Sequence, residues 1–408
     1  MLDFTQLVTQ LEEFSQDVMQ EAKARQKRVE RASTLLRDAG INQDHWVTLQ
    51  RDWRDRLAFS AAEPLEPLET VKSVLNGYES LPTTYTVLAT DGSQIAPNHH
   101  EIAFCYLLNI GRVAIHYGNR RYPLLDSLPE VFYKASDLYQ AQQWGISTEE
   151  WMGYRRTVLE MEVLADLVES LRSDRPQDLD QPPTALALVD GSLIYWFLDG
   201  LPAAAREQLL PPLLSAWKRI QAAGVPLVGY ISASRSVETL NFLRLLGCPH
   251  PFPDCDRYCA GKTDTYALNR PPCQVFSPLK DTTFWQSYLK PGQRGPLWRS
   301  HARVLSHYGD QQLYFCHLHV GSEVARIEFP AEVAENPQVL QQALTLVLTQ
   351  VQKGYGYPIA LAEAHNQAVV RSTDRRRFFA LLEQSFQQAG LNSIAPSAKE
   401  TRKRESIA

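Results

Sequence analysis

The stretch "VLATDGSQIAP" at residues 87–97 runs from apolar residues into an acid, Asp91, and then into Gly92-Ser93. The stretch "ALALVDGSLIYW" at 185–196 repeats the pattern with Asp190 and Gly191-Ser192. Each reads as a buried strand that ends on a carboxylate. An apolar run gains by leaving water, whereas an ionised carboxylate needs water, a partner or a metal ion, so the acid marks the point where the strand leaves the core. In open α/β sheets ligands bind just beyond the carboxyl ends of strands. The glycine after each acid keeps the backbone slim and permits a tight turn, and the serine hydroxyl can donate to a carboxylate or a phosphate oxygen. Asp-Gly-Ser is also a common turn sequence; its recurrence after two apolar runs is what points to a site.

Outward from these two stretches the pattern is α/β. Three short strands, "YTVLATDGS", "EIAFCYLLNIGR" and "VAIHYGN", suggest an antiparallel meander from residue 85. A helix over 149–172 follows, broken by "DRPQDLDQPPT". A strand at 184–191, a helix at 203–223 and a strand at 226–232 alternate as parallel strands with crossover helices do. The helix "SVETLNFLRLLG" leads into a cysteine-bearing loop at 248–273. Beyond it come the strands "QLYFCHLHV" and "VARIEFP", helices at 335–352 and 358–370, and a last helix "RRRFFALLEQSFQQAG". At the other end, residues 1–40 form an amphipathic helix with Leu7, Leu11, Phe14 and Val18 on one side and a Gly40 stop. That helix reads equally as a docking arm or as a helix packed on its own domain. Residues 41–80 read as helical.

With 408 residues, 44% hydrophobic and 21% charged, the chain has the composition of a folded protein of one main domain plus additions. A formal net charge of -5 excludes a surface basic all over, so any nucleic-acid contact is confined to a groove. No apolar segment approaches membrane-spanning length, and "MLDFTQLVTQLEEF" is not a secretory leader; the expectation is a cytoplasmic protein with no membrane contact. Six cysteines without a leader are reduced thiols or ligands rather than a disulfide framework.

Hard cations such as Mg²⁺ and Mn²⁺ want several oxygen ligands from different elements. Asp91 and Asp190 are two candidates, and the helix at 149–172 offers Glu160 or Glu162. These two glutamates lie about 200° apart around a helix. Leu159, Val163 and Leu167 mark the packed side with Glu160 at its border, so Glu160 is favoured and Glu162 held in reserve, although a single helical glutamate is more often a solvated surface acid. "GYGYPIALAEAHNQAVV" at 354–370 adds Glu363 and His365 after Tyr357-Pro358. A histidine there could ligate a metal or orient and deprotonate an attacking water; a lone helical histidine is usually structural.

Arg294, Arg299 and Arg303, with Trp298 between, could line a single-strand channel by phosphate contact and base stacking. A loop around a half-buried tryptophan fits them as well. Cys248, Cys255, Cys259 and Cys273, with His250 nearby, could hold zinc or an iron–sulfur cluster. Their spacing lacks C-x-x-C pairs, so small buried residues are the alternative. Asp264 and Asp281 receive no role.

Taken in order, "ATDGSQI", the pair Arg156 and Glu160, "LVDGSL", "KPGQRGPLW", "LYFCHLHVGSEVARIEFP" and "GYPIALAEAHNQAV" resemble the NurA nucleases, partners of a HerA-type hexameric translocase in DNA end resection. The likeness covers most of the chain. It implies an α/β, RNase H-like core, a mixed sheet flanked by helices, to which the N-terminal helical arm and the cysteine-bearing insertion read from the sequence are additions. The implied division is a helical region at 1–80, a nuclease domain at 81–392 and a disordered tail at 393–408. It further implies a homodimer, Mn²⁺ or Mg²⁺, and 5′ to 3′ exonuclease and single-strand endonuclease action on DNA in double-strand break processing. Asp91, Glu160, Asp190 and His365 then match the metal-binding and catalytic set, with Tyr357 nearby. In a two-metal site Asp91 would bridge the ions while Glu160 and Asp190 complete it. Two departures stand out. Arg235 in "SASRS" occupies a place where many relatives would carry lysine, which keeps phosphate contact in view, and the cysteine loop is not a general family feature. The rival readings are another metal-dependent phosphoester hydrolase and a non-cutting scaffold for DNA or a partner, whose mark would be a lost carboxylate.

Overall fold

The structure is a computed structural model that describes residues 4–97, 103–173, 184–262 and 270–390. The expected tail at 393–408, the breaker at 174–183 and Asp264 lie outside the described residues. The chain forms two compact units: residues 1–79 with 230–337, and residues 80–229 with 338–408.

The second unit is built on a mixed sheet. Strands β1 (Tyr85–Ile95), β2 (Tyr106–Tyr117) and β3 (Leu124–Phe132) pair antiparallel in sequence. Helix α1 (Thr148–Ser173) then crosses over to β4 (Ala185–Asp190), which lies parallel to β1 on its other side. Helix α2 (Ala203–Ala222) leads to β5 (Leu227–Ile231) beside β4, giving the order β3-β2-β1-β4-β5. This is the RNase H-like arrangement expected from the sequence. Helices α3 (Pro337–Lys353), α4 (Ile359–Ala368) and α5 (Ser372–Gln388) complete the chain. Every residue of β1 from Tyr85 to Thr90 is buried, and the burial breaks at Asp91. In β4 the buried run Ala185–Leu188 likewise gives way at Val189-Asp190. A central strand covered on both faces must be apolar throughout, so both acids mark the limit of cover.

Two expectations need correction. The second and third predicted strands are one: β2 runs unbroken through Gly111-Arg112, and the third strand of the meander is 124–132. Gly111 is an in-strand glycine whose missing side chain admits a helix rather than a turn. The predicted helix over 41–80 is also shorter, since only Gln43–Trp53 is α-helical. After it the chain makes two-residue strands at Glu63–Pro64 and Lys72–Ser73, as befits a segment carrying Pro64 and Pro67, whose missing N–H groups cannot sustain a helix.

In the first unit, a hairpin of Leu313–His319 and Val324–Pro330 pairs antiparallel. Helix Phe4–Ile41 buries Ala32, Leu35, Leu36 and Ala39 in the core that holds Trp285, Trp298 and Phe315. Its earlier turns leave Leu11, Phe14 and Val18 exposed. No helix among the described residues is long and apolar enough to cross a membrane.

Candidate active site

The parallel pairing of β1 with β4 ends at Thr90 opposite Val189. The next residue on each strand is an acid, so Asp91 and Asp190 sit side by side in the notch where the strands part. Alternation along β1 then distributes the neighbours between the two faces of the sheet. Thr90 and Gly92 face helix α1. The Thr90 hydroxyl donates to the Glu160 carbonyl at 2.9 Å. A methyl group on Gly92 would lie 2.6 Å from Cγ of Arg156 and closer still to Oε1 of Glu160. Gly92 is therefore the opening through which the Glu160 carboxyl reaches the sheet, with Nε of Arg156 3.3 Å away.

Asp91 and Ser93 face helix α4 on the other side. Gly111 is the register partner of Asp91 on β2, and a methyl group there would lie 2.6 Å from the amide nitrogen of Ala368 and closer to the carbonyl oxygen of Ala364. The backbone of α4 thus rests directly on the sheet. The Ser93 hydroxyl and the Asn109 amide both donate to the Ala368 carbonyl, the latter at 2.8 Å, and these bonds fix the end of the helix. One turn earlier, Nδ1 of His365 lies 2.8 Å from Oδ2 of Asp91. A carboxylate can only accept, so Nδ1 carries a proton, and the tautomer that this bond selects has its lone pair on Nε2. The other Asp91 oxygen accepts from the Gly92 amide at 2.8 Å. Before α4, Tyr355 and Gly356 adopt φ of 55° and 122°, turning the chain so that the Tyr357 hydroxyl donates to Asp190.

These acids crowd one another. Glu160 is pushed up to about 8, first by burial, with Arg156 opposing and with Asp91 and Asp190 adding to the rise. Although 22% of its side-chain surface stays accessible, the carboxyl end is enclosed, and the end is what titrates. Asp190 is also raised, by burial and by Asp91, against the opposing Tyr357 hydrogen bond and His365. Glu162 points elsewhere, toward Arg155 and Arg219, so the geometry joins Glu160, not Glu162, to the aspartates. One consequence is a pH-dependent cost. In the unfolded chain a glutamate loses its proton near 4.3; the folded chain keeps it to about 8. Between those values the folded state holds an extra proton, so stability falls as pH rises through that window and levels off above it. Glu160→Gln should therefore melt higher than the unsubstituted, metal-free chain on the alkaline side of 8 and equally below the carboxylate range. Thermal melts at both ends check this, and coincident curves in alkali would contradict the enclosure.

The donor set suits a hard cation: three carboxylates and an imidazole around one notch, with more negative charge than their surroundings solvate. Among the described residues no three His, Cys, Asp or Glu side chains already stand close enough to clasp one ion. Mg²⁺-type sites need no full protein cage, since one or two carboxylates with waters suffice. The same cavity is walled by Ser192, Tyr195, Trp196 and Phe197. Trp196 is 51% exposed at its side, and Phe197 stacks on Tyr154 at 4.6 Å. Sequence reading passed over Trp196 because it follows an apolar run.

The other candidates separate. Arg294 is buried and paired with Glu66 at 2.6 Å, and Trp298 is fully buried against Phe242. Neither offers a surface to a nucleic-acid strand, which corrects the expected channel: both serve the core of the first unit. Arg299 is likewise paired with Glu63 at 2.7 Å, while Arg235 and Arg303 are exposed. Asp281 caps a helix, accepting from the amides of Thr239 and Leu240. Glu363 is half-buried on α4, two residues before His365. Cys248, Cys255 and Cys259 are half-buried and Cys273 is buried, all as free thiols.

A family model described as the NurA domain matches residues 85–370. The fold is similar to the crystal structure of the NurA nuclease from Sulfolobus solfataricus, at 14% identity and a TM-score of 0.44, covering 85% of this chain and 94% of that one. It is similar to NurA with manganese at 11% identity and a TM-score of 0.32, covering 76% and 91%. NurA bound to dAMP and manganese gives the same identity and score, covering 83% and 94%. No curated protein matches the chain.

Proposed function

The chain belongs to the NurA domain family, and from that premise we propose that it is a divalent-metal-dependent nuclease that hydrolyses DNA phosphodiester bonds at the notch between β1 and β4. The observation that carries this reading is the meeting of Asp91 and Asp190, 99 positions apart in the sequence, with Glu160 around one cavity, and with His365 hydrogen-bonded to Asp91. Mn²⁺ or Mg²⁺, held by Asp91 and Asp190 with Glu160, would neutralise the crowded acids, polarise the phosphate and acidify a water. The protein's own groups do the rest. Tyr357 holds Asp190 in orientation through its hydrogen bond. His365 is locked by Asp91 with Nε2 outward, on a side chain 67% exposed, where it can orient the attacking water and take its proton. Arg156, beside Glu160 and bonded to Gln94 at 3.1 Å, supplies positive charge at the cavity wall.

Trp196 gives the cavity an aromatic face for a nucleobase. Stacking is worth about 1–3 kcal/mol per base, so Trp196→Ala should raise KM for single-stranded DNA by roughly five- to 150-fold with kcat less affected. An unchanged KM would remove the stacking role.

By the family likeness we extend the reading to 5′ to 3′ exonuclease and single-strand endonuclease action in double-strand break processing, to a homodimer, to a HerA-type hexameric translocase as partner, and to a cytoplasmic setting. All three carboxylates are present, which favours a cutting enzyme over a scaffold. The test is hydrolysis of 5′- and 3′-labelled DNA, single- and double-stranded, with Mn²⁺, with Mg²⁺ and with chelator. Metal-dependent cleavage is expected; hydrolysis of small phosphomonoesters alone would turn the reading to a phosphatase.

A further inference from the structure

The first unit holds a cavity of about 520 Å³ that shares no wall residue with the proposed nuclease site. Sites for small organic ligands span about 300–1,000 Å³. The cavity lies where the helix Gln43–Trp53 runs into the turn Arg54–Arg56 and meets the segment 299–313, and Arg54, Arg299 and Arg303 all line it. These arginines differ in what their charge already serves. Arg299 is engaged by Glu63 at 2.7 Å and by Gln312 at 3.3 Å. The acid beside Arg54 is Asp55, at 3.7 Å and 93% exposed, so water screens the pair. Arg303 donates to the Leu57 carbonyl at 3.2 Å, a bond that holds the guanidinium in place and leaves its charge. Leu57 donates its own amide to the Arg54 carbonyl at 3.2 Å. Both arginines are thus tied to one turn of chain.

A separate observation points to a ligand. Gln50 lines the same cavity and is 1% exposed. Its amide nitrogen donates to the Ala61 carbonyl at 2.6 Å, whereas its Oε1 has no hydrogen-bond partner among the described residues. An enclosed acceptor without a donor destabilises the fold, and a ligand that brings an N–H group relieves it. Leu57 and Leu313, 3% and 1% exposed, add carbon to the wall. Two weakly compensated cations, a free acceptor and apolar flanks suit an anionic head on a body that donates hydrogen bonds. A phosphate monoester carries a charge of about −1.5 to −2 at neutral pH, which matches two guanidiniums better than the single charge of a carboxylate does, and the planar fork of arginine fits phosphate oxygens. We propose that this cavity binds a small phosphate monoester of the nucleoside monophosphate class, with the phosphate on Arg54 and Arg303 and an amino group of the base toward Gln50. The proposal does not rest on the nuclease reading: a chain that cuts nothing still binds the ligand here.

The test is equilibrium dialysis of radiolabelled dAMP against the full chain in excess chelator, which keeps divalent ions away from the acids of the second unit. Saturable binding in the micromolar range is expected. It should weaken about tenfold in Arg54→Ala, the scale of one charge-assisted hydrogen bond, and be lost in R54A/R303A while Asp91→Asn retains it. Both arginines are exposed, so the variants should fold, and thermal melts check that they do. Absence of saturable binding overturns the proposal, as does equal binding by the folded double variant. Loss of binding in Asp91→Asn would move the ligand to the nuclease site and overturn it too. Adenosine that displaces dAMP as well as unlabelled dAMP does would remove the phosphate contact, and inorganic phosphate that does so would leave an anion site with no place for a base; either result ends the assignment.

Discussion

Asp91→Asn should leave a folded chain whose DNA cleavage falls by about three orders of magnitude or more, the scale of removing a member of a catalytic set. The substitution is nearly isosteric. The Asn carbonyl oxygen can still accept a hydrogen bond, so either the Gly92 amide or the His365 Nδ1–H keeps its partner. What disappears is the charge. Without it the notch loses an anionic oxygen donor for a divalent ion, and Glu160 loses one of the two acids that drive it up. Relieving that repulsion also means that stability should not fall, so a drop in cleavage cannot be assigned to unfolding. Cleavage of labelled single-stranded DNA under saturating Mn²⁺, with thermal melts in parallel, checks both halves. Cleavage within tenfold of the unsubstituted enzyme would remove Asp91 from the active site.

Gly111→Ala should be nearly as damaging although Gly111 carries no chemistry. The added methyl meets the Ala364 carbonyl and the Ala368 amide, backbone atoms that no rotamer change can move, so helix α4 must lift from the sheet. Overpacking of this kind costs about 1–3 kcal/mol of stability. The larger effect is on catalysis, because His365 rides on the displaced helix and a misplacement of about 1 Å can cost roughly 100-fold in rate. The expected result is a kcat lowered by about two orders of magnitude with KM for DNA little changed, since Trp196 lies on a different element. Gly92→Ala makes an instructive contrast. Its methyl meets the side chains of Glu160 and Arg156, which can swing aside, so stability should hold better while metal affinity declines. Equal kcat for Gly111→Ala and the unsubstituted chain would show that α4 can sit off the sheet without cost.

Much of the fold was legible because it rests on burial alone. Apolar runs stopped by acids located β1 and β4, and a long periodic segment located α1 within a residue at each end. Gly111 misled the strand assignment because a glycine that ends a strand and a glycine that admits a helix look alike in sequence; the helix that decides between them lies over 240 positions further on. Arg294 and Trp298 looked like a nucleic-acid channel because their partners, Glu66 and Phe242, lie 228 and 56 positions away in the sequence. At the proposed site Asp91 and Asp190 were visible from strand-end chemistry, and His365 as a helical candidate whose place in the set the family likeness supplied. Trp196 was not, since exposure is a property of the fold and leaves no local signature. Glu160 could be preferred to Glu162 from helical geometry, and the two do face different surroundings.

The hydrogen bond between His365 and Asp91 joins positions 274 residues apart. A chain leaving the ribosome therefore displays its aspartates long before the histidine has been translated. Contacts of such separation form late, so the pair that the proposed reading needs cannot assemble before residue 365 has been translated. A message truncated between codons 190 and 365 would yield a polypeptide with both strand-end acids and without the histidine that the proposed reading assigns to the attacking water.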